Sequence, residues 1–203
     1  MFIISTISSW ALSVIDKTGY FGLGFLSLLE SAGILIPSEV VLPFSGFLAS
    51  TGRFVFWVVV LVATVGNLVG SIILFFIGKS GGRWILDRYG KYILISRHEI
   101  EVGDEWFKKH GVKAVFFGRI LPIVRTFISL PAGIAKMNFG KFIIFTFIGA
   151  LPWNFALALV GFKIGEKWDI LGSYFKKADI IILVLAVIFI AWYLYRHFKT
   201  NNA

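Results

Sequence analysis

The chain of 203 residues contains no cysteine, which excludes disulfides and thiolate metal sites. Histidine is scarce too: His98, His110 and His197 stand apart without ligand spacing, so no metal site is expected. Only 15% of the residues are Asp, Glu, Lys or Arg, and 58% are hydrophobic. An ordinary soluble domain carries about 25% charged residues, so a chain this poor in charge falls in the membrane class. Residues 1–18 have no basic n-region and no small-residue cleavage site ahead of Asp16 and Lys17. They are expected to stay in the mature protein, and Phe2, Ile7, Trp10, Leu12 and Val14 suit an interfacial helix or part of a first hairpin.

What charge there is has a telling distribution. A net +9 would suit nucleic acid, but Lys79, Arg83, Arg88, Lys91, Arg97, Lys108, Lys109 and Lys113 fall in one polar stretch, interleaved with Asp87, Glu99, Glu101, Asp104 and Glu105. That pattern reads as a cytoplasmic amphipathic segment over 79–112 lying near anionic headgroups, and no nucleic-acid partner is expected.

Crossing a hydrocarbon core of about 30 Å takes roughly 20 apolar helical residues. Residues 54–78 and 140–162 meet this, and 178–196 does so at the short edge, with Trp192, Tyr193 and Tyr195 clustered at its end as an aromatic belt. If the polar segment is cytoplasmic, the later spans leave and return, so that Lys136, Lys141, Arg196 and Lys199 are also inside. Twelve Lys and Arg then flank the inner face, against Lys163, Lys167, Lys176 and Lys177 outside.

Two apolar stretches are broken rather than continuous. Residues 20–50 carry Glu30, Gly33, Pro37, Glu39 and Pro43, and residues 113–135 carry Arg119, Pro122, Arg125 and Pro131. Proline removes an amide donor and ends or kinks a helix, so each stretch is predicted to enter the membrane and turn back. The halves also resemble one another. Leu42-Pro43 precedes Gly52-Arg53-Phe54 as Leu130-Pro131 precedes Gly140-Lys141-Phe142, at an offset of 88 residues. Opposite topology at a fixed offset is the signature of an inverted repeat. The expected fold is therefore an all-α polytopic membrane protein in a single domain over 1–203. It is an inverted repeat of re-entrant helical hairpin plus transmembrane helix, with an added C-terminal transmembrane helix.

An ionisable side chain at the bilayer centre costs about 2.5 to 3.5 kcal/mol. Glu30, Glu39, Arg119 and Arg125 must therefore face one another or water, and two carboxylates with two guanidiniums make a neutral set. A structural pair or interfacial anchoring is the plainer reading. The functional one is a phosphate grip on Arg119 and Arg125, whose planar forks match phosphate oxygens, with Glu30 and Glu39 as a proton relay. Asn67, Asn154 and Trp153 would line the same cavity or serve only in helix packing.

Glu30-Ser-Ala-Gly33 through Pro37-Ser-Glu39, then Gly118-Arg119-Ile-Leu-Pro122-Ile-Val-Arg125-Thr126 and Ala132-Gly133, resemble the DedA family of bacterial membrane proteins over roughly residues 10–195. The resemblance implies opposed re-entrant hairpins and movement of lipid between leaflets. It matches Glu30 and Glu39 to the family's embedded acidic positions and Arg119 and Arg125 to its paired arginines. Ser38 stands where the family often has Gly, and Phe75-Phe76 where it often has Tyr, which leaves any hydroxyl role unfilled. The implied function is a transporter rather than an enzyme. It would be a flippase of the bacterial cytoplasmic membrane moving undecaprenyl phosphate for carrier-lipid recycling, driven by the proton gradient without a cofactor. A phosphatidylethanolamine flippase or scramblase and a proton-coupled ion or drug exporter are the alternatives, and homo-oligomerisation stays open.

Overall fold

The computed structural model describes residues 2–34, 36–82, 97–121 and 124–165. The expected span 178–196 and most of the polar segment before residue 97 lie outside these. Every described element is a helix: α1 (Phe2–Thr18), α2 (Tyr20–Ser31), α3 (Ser38–Ser50), α4 (Phe56–Ile77), α5 (Arg97–Ile120), α6 (Val124–Phe127), α7 (Ser129–Ile134) and α8 (Phe139–Ile164). One π-helical turn, Gly78–Gly82, extends α4.

Helices α4 with its extension and α8 are long and apolar enough to cross a bilayer. Their two faces differ in a way that fits lipid. Along α4, Val59, Ala63, Asn67, Gly70 and Leu74 are buried, whereas Trp57, Leu61, Val65, Val69, Ile73 and Ile77 form an exposed apolar stripe at four-residue spacing. A water-facing helix would carry polar residues there. Ile144, Ile148 and Val160 are likewise exposed on α8.

The break between α2 and α3 is built by Gly33 and Pro37. Gly33 takes φ 99°, its N–H bonds the Glu30 carbonyl at 3.1 Å, and the Ile34 N–H reaches the Leu29 carbonyl at 3.1 Å. This is a Schellman closure with glycine in the left-handed position. Pro37, extended at φ −75° and ψ 100°, then starts α3. The same closure ends α3 at Gly52, with Arg53 N–H to the Leu48 carbonyl at 3.0 Å. It ends α7 at Lys136, whose φ is 51°. A side chain in that conformation costs about 1–2 kcal/mol. Helix α5 runs without interruption through residue 113, where the second broken stretch was expected to begin.

Two apolar clusters hold the helices. Ile15, Leu23, Leu26, Val41, Leu42, Val59 and Ala158 belong to one; Phe75, Phe107, Val115, Ile128, Ala132 and Phe142 to the other. Within the second, Phe75 of α4 stacks on Phe142 of α8 with centroids 4.5 Å apart. Outside both, Asp16 of α1 pairs with Arg53 at the surface.

Glycine allows the closest helix approaches. A Cβ on Gly161 of α8 would lie 1.8 Å from the Pro43 carbonyl oxygen of α3, and one on Gly46 of α3 would lie 2.0 Å from the Ala158 carbonyl oxygen of α8. Reciprocally, a Cβ on Gly133 of α7 would lie 2.0 Å from the Phe75 carbonyl oxygen, and one on Gly78 would lie 2.4 Å from the Leu130 carbonyl oxygen. Backbone cannot yield as a flexible side chain can. Gly161→Leu should therefore destabilise the protein by at least about 1–3 kcal/mol, read as a lower melting temperature in detergent, whereas Val160→Leu on the exposed face should leave it unchanged.

Candidate functional site

Two buried polar side chains from separate helices meet at Arg125. This residue lies on the short helix α6, 7% exposed, and its guanidinium donates to the Glu30 carboxylate and to the Ser38 hydroxyl. Glu30 lies in the last turn of α2 and Ser38 begins α3, so the break at Gly33 and Pro37 brings both onto one guanidinium. Glu30 is itself 7% exposed, which makes the ion pair a buried one.

Arg119, 2% exposed near the end of α5, takes a different set of partners. Its Nη1 donates to the Arg125 carbonyl at 2.8 Å and its Nη2 to the Ser129 hydroxyl. It thus clamps the bend from α5 into α6 and α7 instead of pairing with a carboxylate. The expected arrangement of two guanidiniums on two carboxylates is not what forms: Glu39 is half-buried, and the Ser38 hydroxyl donates to it at 3.3 Å. Glu39 is linked to Arg125 only through Ser38.

Helix α8 closes the site from another side. Trp153 lays its ring against the Arg125 guanidinium with 5.0 Å between the guanidinium carbon and the ring centroid, a cation–π contact. Gly149 brings α8 against the Arg119 side chain. Asn154, fully buried, donates to the Thr64 hydroxyl at 3.0 Å and to the Asn67 Oδ1 at 2.9 Å. Asn67 in turn donates to the Ser27 carbonyl at 3.0 Å and the Ser31 hydroxyl at 2.9 Å. The asparagines therefore tie α8 to α4 and α4 to α2. Inter-helix bonds of this kind pack helices, and Ser31 adjoins Glu30 in sequence, which keeps the chain of bonds next to the ion pair.

Several buried polar atoms remain without a hydrogen-bond partner among the described residues: Arg119 Nε, Arg125 Nε, Trp153 Nε1, Thr146 Oγ1 and Asn154 Oδ1. Three of the five are N–H donors on side chains already described, and Thr146 shares a face of α8 with Gly149 and Trp153 at helical spacing. Buried donors normally find acceptors, so a group rich in acceptor oxygens is what this arrangement can take. No cluster of three or more His, Asp or Glu that would hold a metal occurs among the described residues.

Ser38, Ser129, Thr64 and Thr146 were not singled out as site residues from the sequence. A hydroxyl in an apolar run was the available signal, clearest for Ser129, four residues after Arg125 and so on the same helical side. Breaking the Glu30–Arg125 pair from one side should be more harmful than removing it whole. Arg125→Met or Glu30→Met alone is expected to cost about 3–5 kcal/mol, and the double variant less than the sum. Unfolding in detergent of all four proteins measures this coupling.

The VTT domain family profile matches residues 36–163. Undecaprenyl phosphate transporter A of Bacillus subtilis (strain 168) is 37% identical over 191 residues, covering 94% of this chain and 92% of that protein. The protein of the same name from Staphylococcus aureus (strain NCTC 8325 / PS 47) is 32% identical over 184 residues, covering 87% and 91%. An uncharacterized membrane protein of Bacillus subtilis (strain 168), YkoX, is 40% identical over 188 residues, covering 91% and 83%. No solved structure matches. With nearly two thirds of its length inside the domain match and near end-to-end similarity to these membrane proteins, the chain belongs to the VTT-domain family, the DedA proteins.

Proposed function

We propose that this protein is a proton-dependent flippase that moves undecaprenyl phosphate between leaflets of the bacterial cytoplasmic membrane, returning the carrier lipid for reuse. The observation that carries the reading is the pair of buried arginines whose Nε donors, with the Trp153 indole N–H and the Thr146 hydroxyl, find no partner among the described residues. The ionised oxygens of a phosphate are strong acceptors, and guanidinium forks match them in geometry and charge. The names of the Bacillus and Staphylococcus relatives point to the same lipid.

The reading assigns a role to the ion pair. With Glu30 ionised, Arg125 is neutralised from within the protein. When Glu30 takes a proton its charge is lost, and Arg125 turns to the phosphate while Arg119 holds the bend in place. Glu39, which is joined to Arg125 through Ser38, is the second group of the proposed proton relay. A phosphate with about one to two negative charges moved inward against an inside-negative potential costs about 2.3 kcal/mol per charge per 100 mV. Protons travelling with it offset that cost.

Alternating access would come from an inverted repeat of re-entrant hairpins. Reciprocal packing favours this: Pro43 and Gly46 of α3 meet α8, as Leu130 and Gly133 of α7 meet α4 and its extension. Residues 43 to 130 and 46 to 133 are one short of the 88-residue sequence offset.

The test is translocation of labelled undecaprenyl phosphate in proteoliposomes, with and without an imposed pH gradient. Wild-type protein should move it faster with the gradient, and Arg125→Ala should abolish movement while still inserting. Movement of phosphatidylethanolamine alone in the same vesicles, or wild-type rates in Arg125→Ala, would contradict the assignment.

A further inference from the structure

A cleft of about 490 Å³ opens between α5 and the turn from α7 into α8, and it shares no lining residue with the arginine site. Lys109 and Lys113 of α5, Lys136 of the turn and Lys141 of α8 all line it and all are exposed. Phe107, Val112, Ala135 and Met137 supply apolar wall. No Asp or Glu is among the described residues that line the cleft, and among the described residues none of the four lysines forms an ion pair with a carboxylate.

Four ammonium groups around one concavity repel one another unless an anion sits among them. Two features add to that field. The cleft receives the start of α8, the positive end of a long helix, where Asn138 Oδ1 accepts the Lys141 N–H at 3.1 Å. Lys136 also occupies the left-handed closing position that Gly33 and Gly52 fill at the other two such turns. A relaxed backbone there would favour glycine, so the lysine is held against local preference, as happens where strain serves a site.

We propose that this cleft is a second phosphate site, which takes the headgroup of an anionic lipid. Free phosphate would use the lysines and leave the apolar wall without purpose; a lipid uses both, its phosphate on the ammonium groups and its glycerol and upper chains against Phe107, Val112 and Met137. The site would hold a lipid at the surface of the protein independently of what the buried arginines move.

Lipid titrations followed by native mass spectrometry test this on the full chain released from micelles. The probes are phosphatidic acid, phosphatidylcholine of the same acyl chains, and inorganic phosphate. The variants are Lys136→Gly, which relieves the backbone and should fold at least as well as wild type, and the combined Lys109→Gln, Lys113→Gln, Lys141→Gln. Wild type should retain phosphatidic acid over phosphatidylcholine. Lys136→Gly should weaken phosphatidic acid binding about fivefold and the triple variant about a hundredfold, with phosphatidylcholine binding unchanged in both. The arginine site is intact in these variants, so a loss reports the cleft alone. Equal retention of the two lipids by wild type, wild-type binding in both variants, or inorganic phosphate binding at the cleft without lipid preference would each overturn the proposal.

Discussion

A guanidinium buried in an apolar helix bundle must be satisfied by its surroundings, and in this protein Arg125 sets that demand. Meeting it requires α2 to end just after Glu30, the chain to turn at Gly33, and α3 to start with Ser38, because the two acceptors come from the two sides of one break. It also requires α6 to be short and held in register, which Arg119 does by bonding the Arg125 carbonyl. Trp153 completes the enclosure from α8. A continuous helix through residues 20–50 or 113–135 would strand these charges in hydrocarbon.

Helix packing then follows from backbone rather than from large side chains. Gly46, Gly78, Gly133 and Gly161 let carbonyl groups approach where any Cβ would collide. In a bilayer lipid is as apolar as leucine, so close van der Waals contact between small residues takes over from hydrophobic burial in holding helices together. The asparagine pair adds hydrogen bonds across the same interfaces. Apolar side chains are left facing outward in long stripes, which only a lipid surroundings makes economical.

Much of this was readable before any coordinates. The expected spans 54–78 and 140–162 correspond to α4 and α8 within a few residues, since long apolar runs have few other destinations. Glu30, Arg119 and Arg125 stood out because charge in such runs is costly, and Gly33 with Pro37 announced the break. The partner assignments were not readable. Arg119 bonds a backbone carbonyl, and a carbonyl leaves no mark in a sequence. Glu39 looked equivalent to Glu30 yet meets Arg125 only through Ser38, because one residue of helical rotation separates the first-turn positions. Lys136 in a left-handed turn could not be foreseen either, as lysine carries no signal for that conformation.

In the proposed mechanism the Glu30–Arg125 pair exchanges partners during transport rather than merely bracing the bundle. Translocation of labelled undecaprenyl phosphate by the charge-swapped protein, Glu30→Arg with Arg125→Glu, tests this most directly. A swapped pair that still forms would preserve the brace, so the protein should melt close to wild type but move no lipid, its guanidinium now being on α2. Wild-type translocation by the swapped protein would contradict the account and leave the pair a structural contact.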